Sequence, residues 1–472
     1  MLVKKVAKLF CFAIGLSMAK SIDMTTGSPF KKILAFAIPL AIGYLLQTLY
    51  SLGDTLIVSL SRGEDAVTGI NITSSFWFLV VGFAQGLSAG FGIVLSQYVG
   101  AKNEERMRKC VATSLTLSIV FSILLSVIFL FAAPGILKLL NTNEQFFHHA
   151  KSYIQAIFAG IVFTTLYNLS SQIMRAMGDS KTPLLILIFC ATLNILLNSL
   201  LFITDLSTGW AGWATVISQA ISALITFYII GKKYKNLKPK KEDFKVDMPF
   251  IKKHLATGLP MAFQTSITAI SCMVQQLAFN TLPDPAYAMA QGTASKIDNL
   301  FSSLLFGSTV TMGVYCGQNY GANNLERIKQ GVKASCLIGL IFTAISMAMN
   351  FLLCRPLSAI LLYGAEERVH DLIFKYIAIQ SLVYYCLCLL LYFRESLQGL
   401  ERSALTIIGG VIELLMRCFA CFVLAKNFGF DGAIFSNALA WIGGMICFIA
   451  CYRASVKKMQ KLQSLGKPIF TE

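Results

Sequence analysis

ILAFAIPLAIGYLLQTLYSLGDTLIV, residues 33–58, is an apolar run long enough to cross a bilayer as a helix, and it carries one acid, Asp54. Gly43, Gln47, Tyr50 and Asp54 stand at i, i+4, i+7 and i+11, which puts all four on one helical face. The residues Thr55 to Leu60 follow before the polar flank at Ser61 and Arg62. At a rise of ~1.5 Å per residue the carboxylate therefore sits roughly 9 Å inside the helix exit. A charged carboxylate facing lipid costs at least ~2.5 kcal/mol. Asp54 must face a wet cavity, pair with a partner or hold a proton, and all three fit a proton or cation site. The competing reading is a structural acid hydrogen-bonded between helices near the outer interface.

Working outward, 56% of the 472 residues are hydrophobic and only 13% charged, a balance that excludes an ordinary soluble domain. Further apolar runs lie at about 67–98, 110–133, 152–177, 183–204 and 211–231, then 250–281, 286–316, 331–354, 372–400, 404–425 and 432–452. With the first, they predict an all-α membrane protein of twelve transmembrane helices whose termini share one side. The net charge of +17 collects in alternate loops. One side holds Lys102, Arg106, Arg108 and Lys109, the 232–245 run, Arg327 and Lys329, and Lys457, Lys458 and Lys461. The other holds Glu64, Asp65, Asp205, Asp284, Glu366, Glu367 and Asp431. The basic side is cytoplasmic by the positive-inside rule, so the charge reports topology and not nucleic acid. Thirteen cysteines show no zinc spacing and no expected disulfides; Cys418 and Cys421 form a C-x-x-C on an apolar span, where packing is the simpler reading. All four histidines fall in loops or at span ends, so no intramembrane histidine metal site is expected.

An offset of 221 residues superimposes two halves. Lys31, Lys32, Leu34, Ala35 and Pro39 fall on Lys252, Lys253, Leu255, Ala256 and Pro260. Gly86, Gly92, Gln97, Gly100, Ala101, Asn103 and Arg106 fall on Gly307, Gly313, Gln318, Gly321, Ala322, Asn324 and Arg327. Six spans per half imply two pseudo-symmetric lobes about an axis along the membrane normal, with a central cavity. The division by chain order is an N-lobe at 24–231, a basic cytoplasmic linker at 232–249, a C-lobe at 250–453 and a basic tail at 454–472. Residues 1–23 join Lys4, Lys5 and Lys8 to a short apolar run, Leu9 to Ala19, and resemble a signal sequence. An amphipathic cytoplasmic segment, or a mis-assigned start with translation beginning at Met24, is preferred, because orienting the first helix needs no cleavage.

The polar face of the first span repeats as Gln264, Thr268, Ser271 and Gln275, so both lobes are expected to line the cavity, but only the first carries the acid. In the second half Lys296 with Asp298, and Glu413 with Arg417 one turn apart, sum to zero and are expected to form a structural ion-pair network. Asn194 and Asn198 stand one turn apart on the fifth span and Tyr153 near the start of the fourth. Amides at that spacing can bond a carboxylate, ligate a cation or simply glue helices together.

At these residues the chain resembles the multidrug and toxic compound extrusion family of secondary transporters. The likeness runs through LLQTLYSLGDTLIVSL (45–60), GLSAGFGIVLSQYVGAKNEERMRK (86–109), MRAMGDSKTP (174–183), NILLN (194–198) and GWAG (209–212). In the second half it continues through KIDNLFSSLLFG (296–307), GQNYGANNLERIKQG (317–331), LQGLERS (397–403) and GFDGA (429–433). The resemblance implies a first-lobe proton or cation site of Asp54, Gln47, Tyr153, Asn194 and Asn198. Where the family commonly carries Asn-x-x-x-Asp on the fifth span, this chain has Asn194 and Asn198, so one ligand is neutral. Members that bind sodium in the second lobe carry a glutamate on the seventh span, and the nearest position here is Thr268.

The expectation is an antiporter of the inner or plasma membrane that exports amphipathic or cationic organic compounds in exchange for protons or sodium. Its cavity would include Gly43, Tyr50, Gln264, Thr268, Ser271, Gln275 and Asp298. No cofactor is expected beyond the coupling ion, no metal beyond sodium at Asp54, and no partner beyond substrate and membrane lipid, the protein being a monomer. A lipid-linked oligosaccharide flippase is the rival transporter, although its anionic cargo favours an arginine-lined cavity. An enzyme would need a convergent nucleophile, base or metal set that the spans do not present. A non-transporting scaffold is opposed by the repeated polar faces.

Overall fold

The computed structural model describes residues 21–139 and 142–470. The reading of residues 1–23 therefore lies, up to residue 20, outside the described residues. The described chain is helical without strands. Its main helices are α1 (Pro29–Arg62), α2 (Glu64–Ala101), α3 (Glu104–Leu139), α4 (Glu144–Ala159), α5 (Ile161–Ala176), α6 (Lys181–Asn198) and α7 (Gly209–Lys233). After the linker come α8 (Met248–Asn280), α9 (Pro285–Thr309), α10 (Thr311–Gly321), α11 (Leu325–Leu361), α12 (Glu367–Leu382), α13 (Tyr384–Gly399), α14 (Ser403–Phe419) and α15 (Ala425–Ser464).

Among the described residues, eight helical stretches are long and apolar enough to cross a membrane, and ten when the bent pairs α4–α5 and α12–α13 each count as one span. One stretch, Ser403–Ser464, is two spans merged across Gly429, whose φ of 58° and ψ of −133° break the helix. With α8 the count reaches the expected twelve. The bends, 52° at Gly160 and 48° at Val383, interrupt runs that read as continuous in sequence. Apolar side chains on the outer surface, among them Phe131, Leu224, Leu352 and Leu415, are largely exposed, as a lipid-facing surface requires and a water-facing one does not tolerate.

The chain packs as two compact units that do not follow chain order. One comprises Leu49–Ala262 with the described residues before Met24; the other joins Met24–Thr48 to Phe263–Glu472. A split into 24–231 and 250–453 would have kept each first span whole and within its own half. The repeat explains the exchange. In the second unit a β-carbon on Gly307 of α9 would meet the Cα of Ala41 of α1 at 2.5 Å; in the first, one on Gly86 of α2 would meet the Cα of Ala262 of α8 at 2.8 Å. Both glycines and both alanines are 221 residues apart, so the same backbone-on-backbone notch occurs in each unit with the first span of the other half. Pro39 and Pro260, at equivalent positions in α1 and α8, each remove one helical hydrogen bond two residues before the notch alanines Ala41 and Ala262.

The repeated loop after each second span holds the chain that leads into that borrowed helix. Lys102 and Asn323 both take the left-handed conformation at φ 56°, and Asn103 and Asn324 then cap α3 and α11 through the backbone N–H groups of Arg106 and Arg327, each at 3.0 Å. In the second unit, Arg327 donates to the carbonyls of Met24, Thr26 and Gly27 at 3.0, 2.6 and 2.7 Å, while Gln318 Oε1 accepts from Met24 N at 3.1 Å. In the first unit, Lys109 pairs with Asp247, Arg108 with Asp243 at 3.5 Å, and Tyr98 stacks on Phe250 at 5.4 Å. The linker is thus tied down at both ends, since Lys233 also pairs with buried Asp179 at 2.6 Å. Each unit has its own apolar centre. In the first, Phe76, Phe129 and Phe158 meet edge to face; in the second, Phe279 does the same with Tyr376 and Phe430.

Candidate functional site

In the first unit, helix α1 continues to Arg62, where the guanidinium holds the carbonyls of Leu206 and Thr204 at 2.8 and 2.5 Å. Asp54 consequently lies about 12 Å from the end of its helix at a rise of ~1.5 Å per residue. The last turn of α6 tightens into a 3-10 turn, Ser199–Phe202, and Trp210 Nε1 donates to Leu197 O at 2.8 Å, which fixes the start of α7 against the end of α6. That clamp aims Asn198 at Asp54.

Asn198 Nδ2 donates both to Asp54 Oδ1 and, at 2.9 Å, to Asn194 Oδ1. Asn194 Nδ2 donates in turn to Thr215 Oγ1 of α7 at 3.1 Å, and Thr215 stands within electrostatic reach of the Tyr50 hydroxyl. Tyr153 packs beside Val58 and Leu201 and stands within electrostatic reach of Asp54. Asn194 and Asn198 are wholly buried. Two features stand out. With both N–H groups of Asn198 engaged, its Oδ1 is buried without a donor, and among the described residues no cation lies within ion-pair distance of Asp54. A carboxylate and an unfilled amide oxygen, both acceptors, thus sit side by side between two membrane spans.

Of the residues read from sequence, Asp54, Asn194 and Asn198 form one chain of hydrogen bonds, with Tyr153 and Tyr50 close by. Gln47 does not join it: it is exposed and is counted, with buried Gly43, in the second unit. Thr215 was missed, and only its place one span after Asn194 and Asn198 hinted at it.

In the second unit the polar residues of α8 face their own bundle. Gln275 Nε2 donates to Ser436 Oγ at 2.8 Å and Tyr376 Oη at 3.3 Å. Gln264 Nε2 donates to Thr268 Oγ1 at 3.4 Å. Asp298 accepts from the Tyr384 hydroxyl at 2.5 Å, and Tyr384 in turn accepts from Asn350 at 2.8 Å. The expected ion-pair network is not present among the described residues. Lys296 is exposed two residues from buried Asp298, because neighbours at that spacing point to different helical faces. Glu413 and Arg417 are both buried but not within ion-pair distance; Arg417 bonds Ser271 Oγ at 2.7 Å and Asn437 Oδ1 at 2.8 Å instead.

Known proteins agree with this architecture. The chain is 25% identical over 347 residues to a probable multidrug resistance protein, YoeA, of Bacillus subtilis (strain 168), covering 72% of this chain and 75% of that one. It is 21% identical to the FAD transporter of Shewanella oneidensis over 89% of this chain and 93% of that one. Among solved structures, the outward-facing conformation of a multidrug resistance MATE family transporter superimposes with a TM-score of 0.87 at 19% identity, over 93% of this chain and 99% of that one. A transporter of the MOP superfamily from Pyrococcus furiosus, described as having a binding pocket of reverse polarity, superimposes equally well at 18% identity, over 94% and 99%. The sequence profile of the MatE family matches residues 39–200 and 260–423, once in each half of the repeat. With that match spanning more than half of its length, this multi-pass membrane protein belongs to the MatE family.

Proposed function

We propose that the protein is a secondary antiporter that exports amphipathic or cationic organic compounds in exchange for protons or sodium, with Asp54 as the exchanging group. The observation that carries this is the bond from Asn198 Nδ2 to Asp54, which has no cationic partner among the described residues, beside an Asn198 Oδ1 that is buried without a donor. A proton on the carboxylate supplies the missing donor, and a sodium ion would be ligated by both oxygens. Either neutralises the acid, whereas a cationic substrate favours it charged. Two ligands that prefer opposite charge states of one group compete, and competition is what coupling by exchange requires. The names of the relatives, multidrug resistance proteins for the most part, support the substrate class. The positive-inside pattern supports a cell-membrane protein with both termini cytoplasmic; we take it to act as a monomer and as a transporter, not an enzyme.

The test is transport in inverted vesicles with imposed proton or sodium gradients. Ethidium should move only when a gradient is applied, and Asp54→Asn should stop it. Gradient-independent behaviour across a dye panel would instead favour a flippase for anionic lipid-linked cargo, a reading to which buried Arg417 lends some weight.

A further inference from the structure

We propose that Arg62 is a positioning residue for the exchange at Asp54: it ties the turn between α6 and α7 to the end of α1 and so keeps Asn198 against the carboxylate. This deepens, and rests on, the function proposed above. The Asn198–Asp54 bond joins two segments that then run on side by side, α1 beyond Asp54 and the 3-10 turn with its irregular continuation beyond Asn198. Eight residues further along each, at Arg62 and Leu206, they meet again. There the guanidinium acts as a fork: Nε donates to Leu206 O at 2.8 Å, Nη2 to Thr204 O at 2.5 Å, and Nη1 back to Ser61 O at 3.0 Å. Among the described residues, no other hydrogen bond joins the 49–62 part of α1 to residues 198–208. Between the two closures lies an apolar filling, Val58, Leu201 and Ala211 with Leu206 and Trp210. Such contact is non-directional and does not set the register that a bond between two side-chain tips needs.

The turn needs that anchor. Its carbonyls at Thr204 and Leu206 lie outside any helix, and the other ties on it lead elsewhere: Thr208 Oγ1 to His149 Nδ1 of α4 at 2.6 Å, and Leu197 O to Trp210 of α7. Nor is Arg62 placed for an ion pair. Glu64 and Asp65 lie within three residues of it, and Asp205 stands between the two carbonyls that it holds, yet among the described residues none of them pairs with it. Asp65 accepts from Gln145 Nε2 at 2.9 Å instead. Arg327 grips the chain before α1 by a similar fork, but the segment fixed by Arg62 begins at the amide that bonds the exchanging acid. An ion shared by Asp54 and Asn198 Oδ1 requires both oxygens at one point, and small displacements there are costly.

The first readout is the separation of the two side chains. With Asp54→Cys and Asn198→Cys in one full-length chain, purified in nanodiscs, copper–phenanthroline should close a disulfide between positions 54 and 198, read by peptide mass spectrometry. Adding Arg62→Met, which keeps the aliphatic stem and removes every donor, should slow closure several-fold. Adding Arg62→Lys, which keeps a charged donor at that place, should restore most of the rate. A residue that only stabilised the fold would lower the yield of monodisperse protein in Arg62→Met and leave closure in that fraction unchanged. With Asp54 and Asn198 intact, dicyclohexylcarbodiimide gives a second reading. It should label Asp54 several-fold faster in Arg62→Met than in the parent, because the acid has lost its amide cover, and Arg62→Lys should reverse this. In inverted vesicles, Arg62→Met should need a several-fold higher concentration of the driving ion for half-maximal ethidium export. Failure of positions 54 and 198 to cross-link with Arg62 in place, equal closure or equal labelling with Arg62 and Met, a Lys variant no better than Met, or an unchanged ion requirement overturns the proposal. Where Arg62→Met yields no monodisperse protein, Arg62→Gln, which keeps one donor, carries the same comparison. A parent that exports ethidium while closure ignores position 62 loses only the clamp. Closure that follows position 62 in a parent that exports nothing keeps the clamp and loses the exchange at Asp54.

Discussion

Gly307 approaches Ala41 so closely that a β-carbon on the glycine would lie 2.5 Å from the alanine Cα, nearer than any side chain sits to a backbone. The contact holds the first half of α1 in the unit formed by the second half of the chain. Gly307→Leu should therefore separate two backbones that have no room to yield. Overpacking typically costs ~1–3 kcal/mol, and a clash with backbone belongs at the upper end. The midpoint of thermal unfolding of the detergent-purified protein should fall, and Gly86→Leu, at the equivalent notch against Ala262, should lower it comparably. An unchanged midpoint in both variants would show that the helices do not meet there.

Asp54→Asn should abolish coupled export while leaving protein abundance and monodispersity as in the parent. The amide can still bond Asn198, so the local geometry survives, but it cannot exchange a proton or bind sodium by charge. Dye export assayed beside size-exclusion profiles separates the two effects. Export at the parental rate would assign Asp54 a structural role.

Asn198→Asp should alter coupling and not folding. Asn198 already bonds Asp54 directly, so a carboxylate there places two acids side by side, and these must share a proton or a cation. The export optimum should shift to higher pH, or sodium dependence should appear. A variant whose pH and sodium profiles match the parent would mean that the two positions do not share an ion.

A fourth expectation concerns the strap before α8. Lys109 beside Asp247 holds that carboxyl below its ordinary value of 3.8, with help from the Phe250 backbone N–H. A depressed carboxyl stabilises the fold fully above its unfolded value and loses that contribution as pH falls through the lower folded value. Because Asp247 is largely solvated, the effect is small and salt-sensitive. Asp247→Asn keeps the helix cap and removes the charge, so its unfolding midpoint should lie slightly below the parent's near neutral pH. Once the pH has fallen below the lowered folded value, the two should converge. A gap that persists in acid would assign the loss to capping.

The twelve spans, the repeat and the matched faces of Asp54, Asn194 and Asn198 were legible in the sequence because apolar length and helical spacing are local properties. What escaped it depends on packing at a distance. The repeat register pairs Gly86 with Gly307 but does not say that each glycine receives the first span of the opposite half. Gln47 shares a face with Asp54, yet the break between units falls after Thr48 and separates them. Lys296 and Asp298 looked like mutual partners because both are charged and near in sequence, although two residues along a helix turn the side chains apart. Glu413 stands one turn from Arg417 in sequence, yet the guanidinium bonds Ser271 and Asn437, which arrive from two other helices.

The crossing of α1 and α8 between units also sets an order of events during synthesis. The segment Met24–Thr48 leaves the ribosome among the first described residues, but the groove that receives it, with Gly307 at its notch and Arg327 at its mouth, is among the later ones. The first span must wait in the bilayer with half of its contacts unmade until the second lobe emerges. A nascent chain arrested anywhere before Gly307 would therefore display that half-helix as an unfilled demand, open to chaperones and membrane proteases.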